Sequence, residues 1–179
     1  SSMYMDTVAA VIDRLKGDCA SNLVAGGAYV SMFPEHFLDK GVDYVIRSDG
    51  ERVLTELADC IIEGRGCHGI ASLGYKDGAQ NVLNDIGKLP ADIDEYGIPA
   101  IKCRNACYIE NDVLTDGDPQ LLTRSYEVIA SRGCPFTCSY CCCVNLHRVM
   151  PKGTPAVRSR SVESVIEELK LAKKLIPKL

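Results

Sequence analysis

The sequence has no apolar run of about 18 residues, so it offers no segment able to cross a bilayer as a helix. Its start, Ser1-Ser2-Met3-Tyr4-Met5-Asp6, lacks the basic stretch followed by an apolar one that marks a secretory leader. There is no long block of one charge sign, and a net charge of −4 argues against a dominant nucleic-acid-binding face. No internal repeat or low-complexity tract interrupts the chain. What remains is a globular composition, 46% hydrophobic and 25% charged over 179 residues. That length suits one domain, or a small domain and part of another. The expectation from these absences is a cytoplasmic protein with no membrane span and no nucleic-acid partner.

Against these absences stands an excess of cysteine. The chain carries 10, at 19, 60, 67, 103, 107, 134, 138, 141, 142 and 143. With no sign of secretion, thiolate–metal chemistry is a better account of them than a disulfide scaffold. Cys19 and Cys60 lie near apolar helix patterns and are read as small core hydrophobes. Cys103 and Cys107 have C-x3-C spacing but no third ligand beside them. They are read as ordinary thiols. The other concentration runs from Cys134 to Cys143.

The first half alternates helix and strand patterns. Residues 3–16 place Met5, Val8, Val11, Ile12 and Leu15 on one helical face. Asn22-Leu23-Val24-Ala25 reads as a buried strand ending in the Gly26-Gly27 turn. Residues 34–40 predict a short helix with Pro34 in its first turn, and 42–47 a second strand. Residues 51–63 predict a helix with Val53, Leu54, Leu57, Ala58 and Ile61 inward. Such alternation implies a parallel sheet covered by helices. Asp77-Gly78 between two apolar stretches signals a hairpin. Frequent Pro, Asp and Gly from 88 to 119 then suggest an irregular connector. Residues 126–131 read as a strand, followed by the cysteine-rich segment and a polar, Pro-containing loop. Ser161 is the expected cap of a last helix, with Val162, Val165, Ile166 and Leu169 on one face. Glu163 in its first turn and Lys173 and Lys174 in its last suit the helix dipole.

The chemistry sits in Ser131-Arg132-Gly133-Cys134-Pro135-Phe136-Thr137-Cys138-Ser139-Tyr140-Cys141, spaced C-x3-C-x2-C. Three thiolates from one loop can hold three irons of a cubane cluster and leave the fourth without a protein ligand. An open position at a metal is a catalytic feature rather than a structural one. Gly133 and Pro135 suit a loop that wraps a bulky group. The loop leaves the C-terminal end of a strand, where α/β enzymes place their sites. Two other readings stay open on spacing alone. One is structural zinc, with Cys142, Cys143 or His147 as fourth ligand. The other is a closed ferredoxin-like cluster, whose usual spacing differs.

This segment resembles the radical S-adenosylmethionine superfamily signature, including the aromatic residue before the third cysteine, here Tyr140. The lead-in Ser131 to Phe136, and the later stretch from Val157 to Leu169, resemble the branch with an N-terminal cobalamin-binding domain. The resemblance implies a [4Fe–4S] cluster on Cys134, Cys138 and Cys141, with S-adenosylmethionine on the open iron and near Tyr140. It further implies one-electron cleavage to a 5′-deoxyadenosyl radical, an external donor of the flavodoxin or ferredoxin type, and a small-molecule substrate. Cys142 and Cys143 fall outside the three-cysteine pattern and are read as non-ligands, as is His147.

Residues 23–57 resemble the cobalamin-binding domain of the same branch, through Val24 to Ala28, Gly41 to Arg47 and Gly50-Glu51. Gly26 and Gly27 would let backbone approach the corrinoid, and Glu51 would open a helix at its edge. Two departures stand out. Ser48-Asp49-Gly50-Glu51 replaces the family's Gly-Glu-Gly-Glu, and no Asp-x-His-x-x-Gly motif supplies a cobalt ligand.

The implied fold class is α/β: the C-terminal part of a Rossmann-like cobalamin-binding domain (1–66), a connector with a hairpin (67–123), and the first β/α unit of a radical barrel (124–179). Residues 142–179 cannot complete a barrel of about 200 residues, so the chain is read as a piece truncated at both ends and inactive alone. The implied reactions are methyl transfer or a radical rearrangement. The alternatives are a radical enzyme with a non-cobalamin accessory domain, or a non-catalytic metal-binding module. A methylthiotransferase fits less well, because Cys19, Cys60 and Cys67 do not match the three extra cluster ligands of that family.

Overall fold

The computed structural model describes residues 5–18, 20–103 and 105–179, so Cys19 lies outside the described residues. They form two compact units. The first runs to Leu89 and adds Pro135–Thr154; the second joins Pro90–Cys134 to Pro155–Leu179.

The first unit is built on a four-stranded sheet in the order β1 (Val24–Ala25), β2 (Tyr44–Ile46), β3 (Leu73–Asp77), β4 (Gln80–Leu83). Only β1 and β2 are parallel. The two-residue turn at Gly78 and Ala79 folds β4 back on β3, and β3 pairs antiparallel with β2. Gly78 has a φ of +59°, as a tight hairpin turn requires. The sheet is therefore mixed rather than parallel, because the hairpin read as connector adds two strands to it.

Alternation along β2 divides the core between two faces. Val45 packs with Ile12, Val30, Phe37 and Leu38 from α1 (Met5–Asp18), α2 (Ala28–Met32) and α3 (Pro34–Asp39). Ile46 packs on the other face with Leu57 and Cys60 of α4 (Glu51–Ile62), and with Cys67, Ile70, Leu73 and Tyr75. The inward stripe of α4 differs from the sequence expectation. Val53, Leu57 and Cys60 face the sheet, whereas Leu54 and Ile61 are partly to largely exposed. Steps of four and three residues keep one side down, and Cys60 fills the place assigned to Ile61.

Ser31 is a buried hub of this unit that the sequence did not single out. Its hydroxyl donates to the Gly27 carbonyl at 2.9 Å and accepts the Ser48 N–H at 2.8 Å. Ser48 has a φ of +75°, so the hydroxyl secures a strained turn. Ser31→Ala leaves the Ser48 N–H without this partner. It should cost about 1–3 kcal/mol, read as a lower midpoint in urea unfolding, with secondary structure retained by circular dichroism.

The second unit holds two short antiparallel pairs, β5 (Cys107–Glu110) with β6 (Val113–Asp116), and β7 (Ser131–Gly133) with β8 (Val157–Ser159). The strand expected over 126–131 is thus shorter and later. Only 131–133 find a partner strand, and Tyr126 instead donates its hydroxyl to Glu168 at 2.6 Å. Burial and the Glu168 carboxylate push the Tyr126 hydroxyl up to about 12. Arg160 pairs with the same carboxylate.

After α5 (Cys142–Val149), which lies in the first unit, α6 (Val162–Leu175) closes the chain. Ser161 caps α6 as expected, accepting the Ser164 N–H at 3.1 Å. The buried residues at this end are Glu168, Ala172 and Ile176, while Val162 and Ile166 are exposed. The face expected from apolar pattern alone is therefore rotated, since the buried ion pair claims position 168. No helix of the described residues is long and apolar enough to cross a membrane.

Candidate metal centre

The lead-in to the cysteine loop is fixed by backbone. Gly133 pairs with Val157 across β7 and β8 and has a φ of +97°. A Cβ at that position would lie 2.1 Å from the Ala156 carbonyl oxygen, so only glycine fits. Arg132 lies over the Tyr96 ring, 5.2 Å from its centroid. Cys134 follows, half-buried.

Further along, Cys138 is exposed, and its carbonyl accepts the Cys141 N–H at 3.1 Å in a tight turn. Tyr140 is 90% exposed and Phe136 70%. Cys141 is the N-cap of α5, with φ −96° and ψ 133°. This helix occupies part of what the sequence suggested was a loop. It is only eight residues long, and its cap is a cysteine rather than Ser, Thr, Asp or Asn, so the usual start signal is missing. Cys143, Leu146 and Met150 are half-buried along it, and α5 packs on α2. The Ser48 hydroxyl donates to the Met150 sulfur at 3.2 Å.

Cys141, Cys142 and Cys143 bring their sulfur atoms within 4.8 Å of one another. Cys134 and Cys138 belong to no such group among the described residues. The N–H and thiol of Cys143 hold the Cys141 thiol below its ordinary value; partial burial opposes this and the Cys142 thiol adds to it. A depressed thiol at the positive end of a helix is suited to act as a thiolate ligand. Cys103 and Cys107 are exposed, and Cys60 and Cys67 are core residues, as sequence suggested for Cys60.

The glycine turn lies in the same unit as α5. Gly27, at φ +101°, is the N-cap of α2, and a Cβ there would meet nothing within 4 Å. A Cβ on Gly26 would lie 3.8 Å from the Ile46 carbonyl oxygen, an ordinary contact. The turn thus presents open backbone. Glu51 is exposed in the first turn of α4, and the Thr55 hydroxyl donates to its carbonyl at 2.9 Å.

No protein-family profile matches the chain. It is 31% identical over 151 residues to an uncharacterized methyltransferase of Pyrococcus horikoshii, covering 83% of this chain and 30% of that protein. It is 34% identical over 104 residues to tryptophan 2-C-methyltransferase of Streptomyces laurentii, covering 58% of this chain and 16% of that one. In structure it is similar to the radical S-adenosylmethionine methyltransferase TsrM of Kitasatospora setae. The form with tryptophan and a SAM analog bound superposes with a TM-score of 0.65 at 22% identity, over 96% of this chain and 32% of that one. The form with cobalamin and a [4Fe-4S] cluster gives 0.59 at 18%. The chain spans a third or less of each of these proteins.

Proposed function

We propose, from the chain's place in the cobalamin-binding branch of the radical S-adenosylmethionine superfamily, that it is part of a methyltransferase acting on a small molecule. In this reading Cys134, Cys138 and Cys141 hold a [4Fe–4S] cluster, Tyr140 lies beside S-adenosylmethionine, and Gly26, Gly27 and Glu51 border a corrinoid. The observation that carries it is the seating of α5 on α2. The helix capped by the third cysteine packs against the helix that opens at the glycine turn. The three similar proteins named above are methyltransferases, which favours methyl transfer over rearrangement.

The donor set fits the cluster: three thiolates from one loop, with no fourth protein ligand demanded. When bound, the cluster supplies one electron to S-adenosylmethionine and the corrinoid carries the methyl group. The chain's own residues do the rest. The α5 N-terminus favours the Cys141 thiolate. Gly133 fixes the direction in which Cys134 leaves the strand. Phe136 and Tyr140 offer apolar surface to cover the cofactors. The electron comes from a flavodoxin- or ferredoxin-type donor. Residues 1–66, 67–123 and 124–179 then correspond to the corrinoid domain, a connector whose hairpin joins the first unit's sheet, and the start of the radical barrel domain.

The test is the whole protein purified without oxygen, with iron, sulfide, zinc and corrinoid measured. About four irons and bound corrinoid per chain are expected. Zinc without iron, even after supplying iron and sulfide, would contradict the reading. A cluster without corrinoid would select a radical enzyme with a non-cobalamin first domain.

A further inference from the structure

We infer that Cys141, Cys142 and Cys143 form a second metal site, a three-thiolate seat for one soft cation of the zinc class, which competes with the cluster for the shared Cys141. The exchange with the cluster rests on the functional reading above; the three-thiolate seat itself does not.

Three consecutive side chains rarely converge. In a strand, successive side chains point to opposite faces, and in a helix they fan out by about 100° each. Here the chain bends between them. Cys141 is extended at the cap, while Cys142 and Cys143 begin the helix. That bend is what gathers their three sulfur atoms within 4.8 Å. Two thiolates on one zinc-class ion at ~2.3 Å each sit roughly 3.8 Å apart, so small side-chain rotations complete the site.

The frame around the thiols is fixed from both ends. The Cys141 N–H is held by the Cys138 carbonyl at 3.1 Å, and α5 is seated on α2, with Met150 accepting the Ser48 hydroxyl at 3.2 Å. The open end of α5 adds a field that favours negative sulfur. Cys142 is exposed, so a cation reaches the site from solvent, and a water or small thiol takes its fourth position. Binding is coordination without redox change: each thiol that becomes a ligand gives up its proton to the buffer. Soft thiolates select this ion class over calcium or magnesium. A Cys141 sulfur already bound to this cation is a weaker donor to a cluster iron, so a cation here competes with the cluster for Cys141.

The test uses the whole protein, freed of iron and kept reduced, titrated with Cd²⁺ and followed by sulfur-to-cadmium absorption. The wild type should bind one ion with a three-thiolate signature. Cys142→Ser, chosen because the residue is exposed, and the Cys142→Ser/Cys143→Ser pair should each weaken binding by at least about 10–100-fold. Cys134→Ser/Cys138→Ser should bind as wild type. Retention in the first pair, or loss in the second, overturns the site. In a second arm, iron and sulfide are added with Cd²⁺ bound. Cluster formation should lag in the wild type but not in Cys142→Ser/Cys143→Ser, and equal rates overturn the exchange. Failure of every form to build a cluster counts against the cluster reading and the exchange, while the first arm still decides the seat.

Discussion

Changing Cys134, Cys138 or Cys141 singly to alanine should strip the protein of its cluster, while Cys142→Ala and Cys143→Ala should leave it able to assemble one. In the proposed cluster each of the three would supply one iron with its only protein ligand, and losing one would leave that iron unheld. Loss of an outer partner of a metal ligand already costs 10–100-fold; loss of the ligand should lower turnover by at least about 100-fold. The contrast between neighbours is the discriminating part. Cys141, Cys142 and Cys143 are adjacent, and their sulfur atoms cluster together. A zinc site built on that triplet would fail with Cys142→Ala, whereas the open-iron cluster would not. Iron and sulfide content after anaerobic reconstitution reads this directly.

Gly133→Ala should be nearly as damaging without touching a ligand. The added Cβ would meet the Ala156 carbonyl oxygen at 2.1 Å, and the backbone has a φ of +97°. Left-handed backbone costs a non-glycine residue about 1–2 kcal/mol. Overpacking against fixed backbone adds ~1–3 kcal/mol. The sum, roughly 2–5 kcal/mol, falls on the β7–β8 pair, which must open by moving Val157 or the chain entering Cys134. Gly153→Ala is the control. Gly153 has a φ of +86°, but a Cβ there meets nothing within 4 Å. It should therefore lose only the backbone share and keep its iron. If both variants lose iron equally, crowding at Gly133 is not what directs Cys134.

Much of this was legible in the sequence because it is local. The C-x3-C-x2-C spacing, the Gly26-Gly27 turn, the Asp77-Gly78 hairpin and the Ser161 cap each need only neighbouring residues. What the sequence missed depends on partners far along the chain. The stripe of α4 was rotated because the core it meets, Cys67, Ile70, Leu73 and Tyr75, comes from beyond the helix and takes Cys60 rather than Ile61. The face of α6 was rotated because Glu168 is buried against Arg160 and Tyr126, and a charged residue carries no apolar signal. The helix α5 was hidden by its cysteine cap. Ser31 had no signal at all: a serine in a five-residue helix becomes a hub only once Ser48 is brought beside it.

The relatives shaped the functional reading in a different way. They are methyltransferases, and the chain matches a third or less of each.

The most direct measurement is electron paramagnetic resonance of the whole protein, reduced without oxygen, before and after adding S-adenosylmethionine. An open iron held by Cys134, Cys138 and Cys141 predicts a reduced-cluster signal whose g-values shift when S-adenosylmethionine binds. A cluster signal unchanged by S-adenosylmethionine, or no cluster signal in protein freed of zinc and supplied with iron and sulfide, would contradict it.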